Sequence, residues 1–267
     1  MSSDVITATS FAGLTIVRPQ QRVPTINMLV YGDSSVGKTT LVGGADAVPQ
    51  MRRVLFVDIE KGDLSLRKTP YRPDVVRVTN WAQLNKIHAA LLADVNNPDA
   101  RYRTVCIDSL NEVQDLCIKE VMANEPEGEF ATPEWKHWNQ NQVKMLRMLR
   151  MFRDLPMNVI FTSLAKEVTN DKTGKTRLLP DLPGKLAGKV PAIFDNVFYY
   201  YMKEFIEEVK GEKKKVNKRI LLTTMTPSII AKNRGSDSLP QTIIVPPVSE
   251  SVTMKTIYEG ILGGETK

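Results

Sequence analysis

The octapeptide Gly32-Asp33-Ser34-Ser35-Val36-Gly37-Lys38-Thr39 follows the apolar run Ile26-Asn27-Met28-Leu29-Val30-Tyr31 and leads into a helix-period segment. It matches G-x-x-x-x-G-K-[ST] at every fixed position. A strand that feeds a glycine turn and then a helix points backbone N–H groups inward, where they cradle phosphate. In that arrangement Lys38 reaches the β- and γ-phosphates, and the Thr39 hydroxyl goes to Mg²⁺. The residues expected around the nucleotide are therefore Gly32, Asp33, Ser34, Ser35, Val36, Gly37, Lys38, Thr39 and Thr40.

Outward from this loop, short apolar runs alternate with longer helix-period segments, the pattern of a parallel α/β sheet flanked by helices. Strands are expected at 26–31, 54–58, 75–79, 104–108 and 158–162, each a continuous apolar run suited to burial on both faces. Helices are expected at 38–43, 81–93, 110–122 and 133–154. For the last, Thr132 serves as cap and Pro133 as first helical residue. Trp135, Trp138, Met145, Leu149 and Phe152 form its apolar stripe, which reads as core, with base stacking by the tryptophans as the alternative. Residues 165–191, rich in Gly, Pro, Lys and Asp, read as a long mobile loop. Two further strands, 194–205 and 220–224, flank a charged hairpin tip around 213–219. Residues 1–22 read as an N-terminal arm, 23–246 as one domain and 247–267 as a C-terminal tail.

Two acidic strand ends face the phosphate loop in this reading. Thr104-Val105-Cys106-Ile107-Asp108 supplies an aspartate for the Mg²⁺ shell; capping the following helix is its plainer use. Val54-Leu55-Phe56-Val57-Asp58-Ile59-Glu60 ends in D-x-E, so Glu60 is placed to orient and deprotonate an attacking water.

With these motifs in this order the chain resembles the RecA-like recombinases, and more narrowly the phage-encoded single-strand-annealing type known as the Sak-four group. That narrower likeness rests on Leu182-Pro183-Gly184-Lys185-Leu186-Ala187-Gly188, on Phe194-Asp195, and on Ala231-Lys232-Asn233-Arg234. It implies a RecA-like core with a mostly parallel sheet, a C-terminal β-hairpin extension, and a Mg·ATP site shared between subunits. Glu60 and Lys38 are then catalytic, Thr39 and Asp108 hold Mg²⁺, and Lys232 and Arg234 act in trans on a neighbour's γ-phosphate. Homo-oligomers, single-stranded DNA and a single-stranded-DNA-binding protein are the implied partners. The DNA loop would carry Lys166, Lys172, Lys175, Arg177, Lys185 and Lys189; a solvated lid is the alternative. Leu164 stands where the family usually carries a γ-phosphate-sensing glutamine.

The 267 residues carry 36 basic and 30 acidic side chains, a net charge of +6 that favours an anionic partner without identifying one. Two cysteines in apolar runs, and neither a signal peptide nor a membrane span, point to the cytoplasm, that of the host cell if phage-encoded. A GTPase is excluded, because no N-K-x-D motif is present. A nucleotide-switched, non-hydrolytic DNA-binding or assembly module and a small-molecule kinase are the remaining alternatives.

Overall fold

The computed structural model describes residues 9–12, 14–16, 25–95, 97, 99–123, 125–126, 128, 131–171, 173–209, 212–235, 237–248 and 252–262. Two short strands, β1 (Thr9–Phe11) and β2 (Leu14–Ile16), pair as a separate hairpin. The main sheet is built on β3 (Asn27–Gly32), whose six residues are all buried. Its side chains alternate between faces as a strand requires: Leu29 and Tyr31 join one core, Met28 and Val30 the other.

The strands around β3 are β4 (Val54–Asp58), β5 (Asp74–Arg77), β6 (Thr104–Asp108), β7 (Asn158–Thr169), β8 (Thr176–Pro180), β9 (Asn196–Val209), β10 (Glu212–Leu222) and β11 (Thr242–Val245). The sheet order is β11-β10-β9-β3-β7-β6-β4-β5, with β8 paired to β7. From β9 to β5 all pairs are parallel; β10 and β11 add an antiparallel edge. This is the expected P-loop α/β fold, a mostly parallel sheet flanked by helices, with a hairpin extension. On one face pack α2 (Trp81–Asp94), α3 (Leu110–Met122), α4 (Trp135–Arg153) and α5 (Leu186–Ile193). On the other pack α1 (Lys38–Gly43) and α6 (Thr253–Leu262).

The structure departs from the sequence reading at four places. Residues 165–191 are not a long loop: β7 runs on to Thr169 and turns back as β8, and α5 follows. Helix α4 starts at Trp135, with the Glu134 N–H donating to His137 Nδ1 at 2.9 Å, so neither Thr132 nor Pro133 begins it. Residues 213–219 lie within β10 rather than at a tip, and Lys215 and Lys218 pair with Glu204 and Glu207 across the ribbon. Finally, 253–262 form α6 instead of a free tail, because Met254, Ile257 and Ile261 fill the core against Leu41, Val42 and Ala45.

Trp135 and Trp138 are also not core. Their helical stripe continues correctly into Met145, Leu149 and Phe152, which are buried. In the first two turns of α4 the buried positions are instead His137 and Asn141. Trp135 is 80% exposed.

Candidate functional site

Strand β3 ends at Gly32, where a Cβ would lie 1.9 Å from the Tyr200 carbonyl oxygen, so only glycine allows β3 and β9 to pair this closely at the mouth of the loop. At the other end of the loop Gly37 has φ +103°, a left-handed conformation that releases the chain into α1. Between these glycines the Lys38 side chain folds back and donates from Nζ to the carbonyls of Gly32 (3.1 Å) and Asp33 (2.8 Å). Burial lowers the pKa of this ammonium, while the charges of Asp108, Glu60 and Asp33 oppose that shift. A lysine held by two carbonyls at the loop mouth is pre-aimed at an anion.

Thr39 and Asp108 meet beside it. Thr39 Oγ1 donates to Asp108 Oδ2 at 2.6 Å, and Thr162 Oγ1, on the intervening strand β7, donates to Asp108 Oδ1. Asp108 is buried, which pushes its carboxyl above the usual carboxylate range; the two hydroxyl donors pull the other way. Asp108 is thus no mere helix cap.

Glu60 accepts a hydrogen bond from Ser109 Oγ, the residue directly after Asp108. What presents Glu60 is Asp58: its Oδ1 accepts from the Gly62 N–H at 2.9 Å, closing the turn that carries residues 59–62. A Cβ on Gly62 would sit 3.7 Å from both Asp108 Oδ2 and Thr39 Oγ1, so the turn lies against the Thr39–Asp108 pair. Lys38, Thr39, Asp108 and Glu60, drawn from three separate segments, are therefore brought together at the carboxyl ends of the strands.

The Thr39–Asp108 pair fits Mg²⁺. A hydroxyl and a buried carboxylate converge there, and the upward push on Asp108 is what a bound cation would reverse. Among the described residues no cluster of three His, Cys, Asp or Glu side chains could hold a metal by itself. Mg²⁺ typically takes one or two carboxylates and completes its shell with water and phosphate, so a sparse site suits it.

Other members of the site carry no sequence signature. A narrow cavity of about 80 Å³ adjoins the loop, walled by Gly37, Thr40, Tyr71, Tyr200, Arg219 and Pro246. Arg219 Nε donates to the Val36 carbonyl at 2.8 Å, tying β10 to the loop. These residues lie far apart in sequence, and only the fold assembles them.

Lys232 and Arg234 are not at this chain's own phosphate loop. Lys232 exchanges backbone hydrogen bonds of 2.8 Å each with Val197, and Arg234 pairs with Asp195 at 3.1 Å. Val197 lies opposite Leu29, whereas Tyr200 lies opposite Gly32, so this pair sits toward the amino ends of the strands. Any action on nucleotide by these cations must be on a neighbouring chain's.

The expected DNA-facing cations separate into three groups. Lys166 is engaged, with Nζ 3.3 Å from Asp181 Oδ1 and 2.5 Å from the Leu182 carbonyl oxygen. Lys175 and Arg177 are exposed at the far end of the β7–β8 hairpin, and Lys185 and Lys189 are exposed at the start of α5. Lys172 lies outside the described residues. Leu164, at the position where the resemblance implies a sensor glutamine, is held by Asn111. Its Oδ1 accepts from the Leu164 N–H (2.8 Å) and from Ser163 Oγ (3.2 Å), while its Nδ2 donates to the Asp181 carbonyl at 2.6 Å.

A family model described as an AAA domain (AAA_24) matches residues 25–235, the whole span from the phosphate-loop strand to Arg234 and one residue beyond. The chain belongs to this AAA-domain family. Solved structures similar to this AAA-domain chain include the flagellar accessory protein FlaH from Methanocaldococcus jannaschii, at 12% identity over 84% of this chain and 92% of that one, with a TM-score of 0.41. A type III secretion system ATPase from pathogenic bacteria is similar at 15% identity over 65% and 51%, with a TM-score of 0.44. No curated protein matches the sequence. Among the described residues no helix is long and apolar enough to cross a membrane.

Proposed function

We propose that this AAA-domain chain hydrolyses Mg·ATP at the 32–39 loop, assembles with nucleotide between neighbouring copies, and engages single-stranded DNA in phage-type recombination or strand annealing. The observation that carries the hydrolytic part is the placement of Glu60 beside the Thr39–Asp108 pair, anchored by Ser109. A binding module needs the phosphate cradle; it has no use for a carboxylate presented next to it.

The residues divide the work as follows. Backbone N–H groups from Asp33 to Thr40 receive the phosphates, and Lys38 exchanges its two carbonyl partners for phosphate oxygens. Thr39 and Asp108 hold Mg²⁺, which screens the phosphate charge when bound. Glu60 orients the water and takes its proton, a contribution of roughly 10²- to 10⁴-fold for a positioned base. Ser109 fixes the rotamer of Glu60. Lys232 and Arg234 of a neighbouring copy add positive charge at the γ-phosphate to that of Lys38.

The family resemblance and the basic residues at the β7–β8 hairpin and the α5 start support the DNA half of the reading. The test is steady-state ATP turnover with and without single-stranded DNA. Turnover should need Mg²⁺ and rise when single-stranded DNA is added. A DNA-independent rate would remove DNA from the function and leave the ATPase.

A further inference from the structure

The start of α4 and the start of α5 enclose a groove of about 520 Å³. Its walls contain no acidic residue. Trp135, 80% exposed, and Trp138, 39% exposed, stand three residues apart on one face of α4 and present their rings to it. Opposite them stand Lys185 and Lys189, one helical turn apart on α5. Neither lysine has an ion-pair partner among the described residues, which leaves both ammonium groups available to an anion. Asn141 also lines the groove. It is fully buried, yet among the described residues neither its Nδ2 nor its Oδ1 has a partner.

Each of these features is costly or idle in the free chain. Two large indoles face water, two cations lie unpaired on one side, and a buried amide leaves both a donor and an acceptor unmet, which is unfavourable. A single ligand class satisfies all three. Bases stack on indole rings whatever their sequence, phosphates pair with the lysines, and base edges carry the donors and acceptors that an asparagine side chain matches. Double-stranded DNA keeps its bases stacked on each other and out of reach, so the ligand is a single strand.

We propose that this groove is the single-strand binding site: Trp135 and Trp138 stack unpaired bases, Lys185 and Lys189 hold adjacent phosphates, and Asn141 bonds a base edge. This rests on the proposed engagement of single-stranded DNA and assigns it to particular residues. It also narrows the site from the β7–β8 hairpin and the α5 start to the α4–α5 groove.

Tryptophan fluorescence tests it on the full chain. The third tryptophan, Trp81, is buried, so quenching by an oligothymidylate reports on Trp135 and Trp138. Trp135→Ala should weaken binding roughly 5- to 100-fold, the range for losing one stacking platform. Because Trp135 is so exposed, the variant should melt as wild type does. Lys185→Ala with Lys189→Ala should reduce the slope of log affinity against log salt by about 0.7 per lysine. Asn141→Leu should bind less tightly yet melt at a higher temperature, a pairing that a merely structural role cannot produce.

Wild-type affinity in Trp135→Ala, or an unchanged salt slope in the lysine pair, overturns the groove as the site. Variants that keep oligonucleotide affinity but lose self-association in sedimentation identify a second copy of the chain as the occupant, and equally overturn it. If the wild-type chain itself does not bind the oligonucleotide, the DNA half of the proposed function falls along with the groove.

Discussion

At the phosphate loop the polar groups already hold one another: Lys38 on two carbonyls, Thr39 and Thr162 on Asp108, Ser109 on Glu60. In the α4–α5 groove the opposite holds, with two exposed indoles, two lysines outside any ion pair and an unpartnered buried amide. The contrast separates two ways of preparing a site. Chemistry at a phosphate needs groups fixed before the substrate arrives, since transition-state stabilisation relies on donors that need not reorganise. Binding a variable, flexible strand needs surfaces left unsatisfied until the ligand supplies the partner. Asn111 is bonded to the middle of β7 on one side and on the other to Asp181, where the segment leading to the groove begins.

The largest effect is expected at the proposed contact between a neighbouring copy's arginine and the phosphate site. Arg234→Ala should cut kcat by about 10³-fold, the scale of removing an arginine that acts in trans. Mixing it with a Lys38→Ala protein should restore turnover, because some interfaces then combine an intact loop with an intact arginine. No recovery, with subunit exchange shown by sedimentation, would break the shared-site reading. A smaller effect is expected at the link between the two regions. Asn111→Ala should leave each affinity near its wild-type value while reducing the mutual enhancement of ATP and oligothymidylate binding, on the order of 5- to 150-fold for ordinary coupling, toward one. Parallel titrations with and without nucleotide measure it, and undiminished coupling would make the two regions independent. The smallest change belongs to the β9–β10 ribbon. Replacing Lys213, Lys214 and Lys215 with alanine should alter oligonucleotide affinity by less than about twofold. Lys214 and Lys215 already face glutamates, and exposed pairs of this kind contribute little. A large loss would make the ribbon part of the DNA site and blur the contrast between paired and unpaired cations.

Much of the phosphate site was legible in the sequence because its chemistry is local. The loop spacing, the D-x-E strand end and the Asp108 strand end each announce themselves within a few residues, and β4, β6, α1 and α3 lie at the expected bounds. Asp58, Ser109, Tyr71 and Arg219 were not legible as site residues, since a hydrogen bond to Gly62 or a cavity wall leaves no spacing to read. The groove was misread for a different reason. Periodicity tells which face of a helix is apolar but not where the core beneath it stops, so Trp135 and Trp138 looked like a continuation of Met145 and Leu149. Residues 165–191 misled by composition: Gly174, Pro183 and Gly184 fall at turns, but Pro180 ends β8 and Gly188 and Pro191 lie inside α5.

The central claim is that Glu60 makes the loop a hydrolytic site. Steady-state ATP turnover and nucleotide affinity should be measured for wild type and Glu60→Gln under the same Mg²⁺ and oligonucleotide concentrations. Glu60→Gln should keep Mg·ATP affinity within about threefold and lose at least about 100-fold in kcat, as expected for a positioned base. Turnover that survives the substitution would contradict the account.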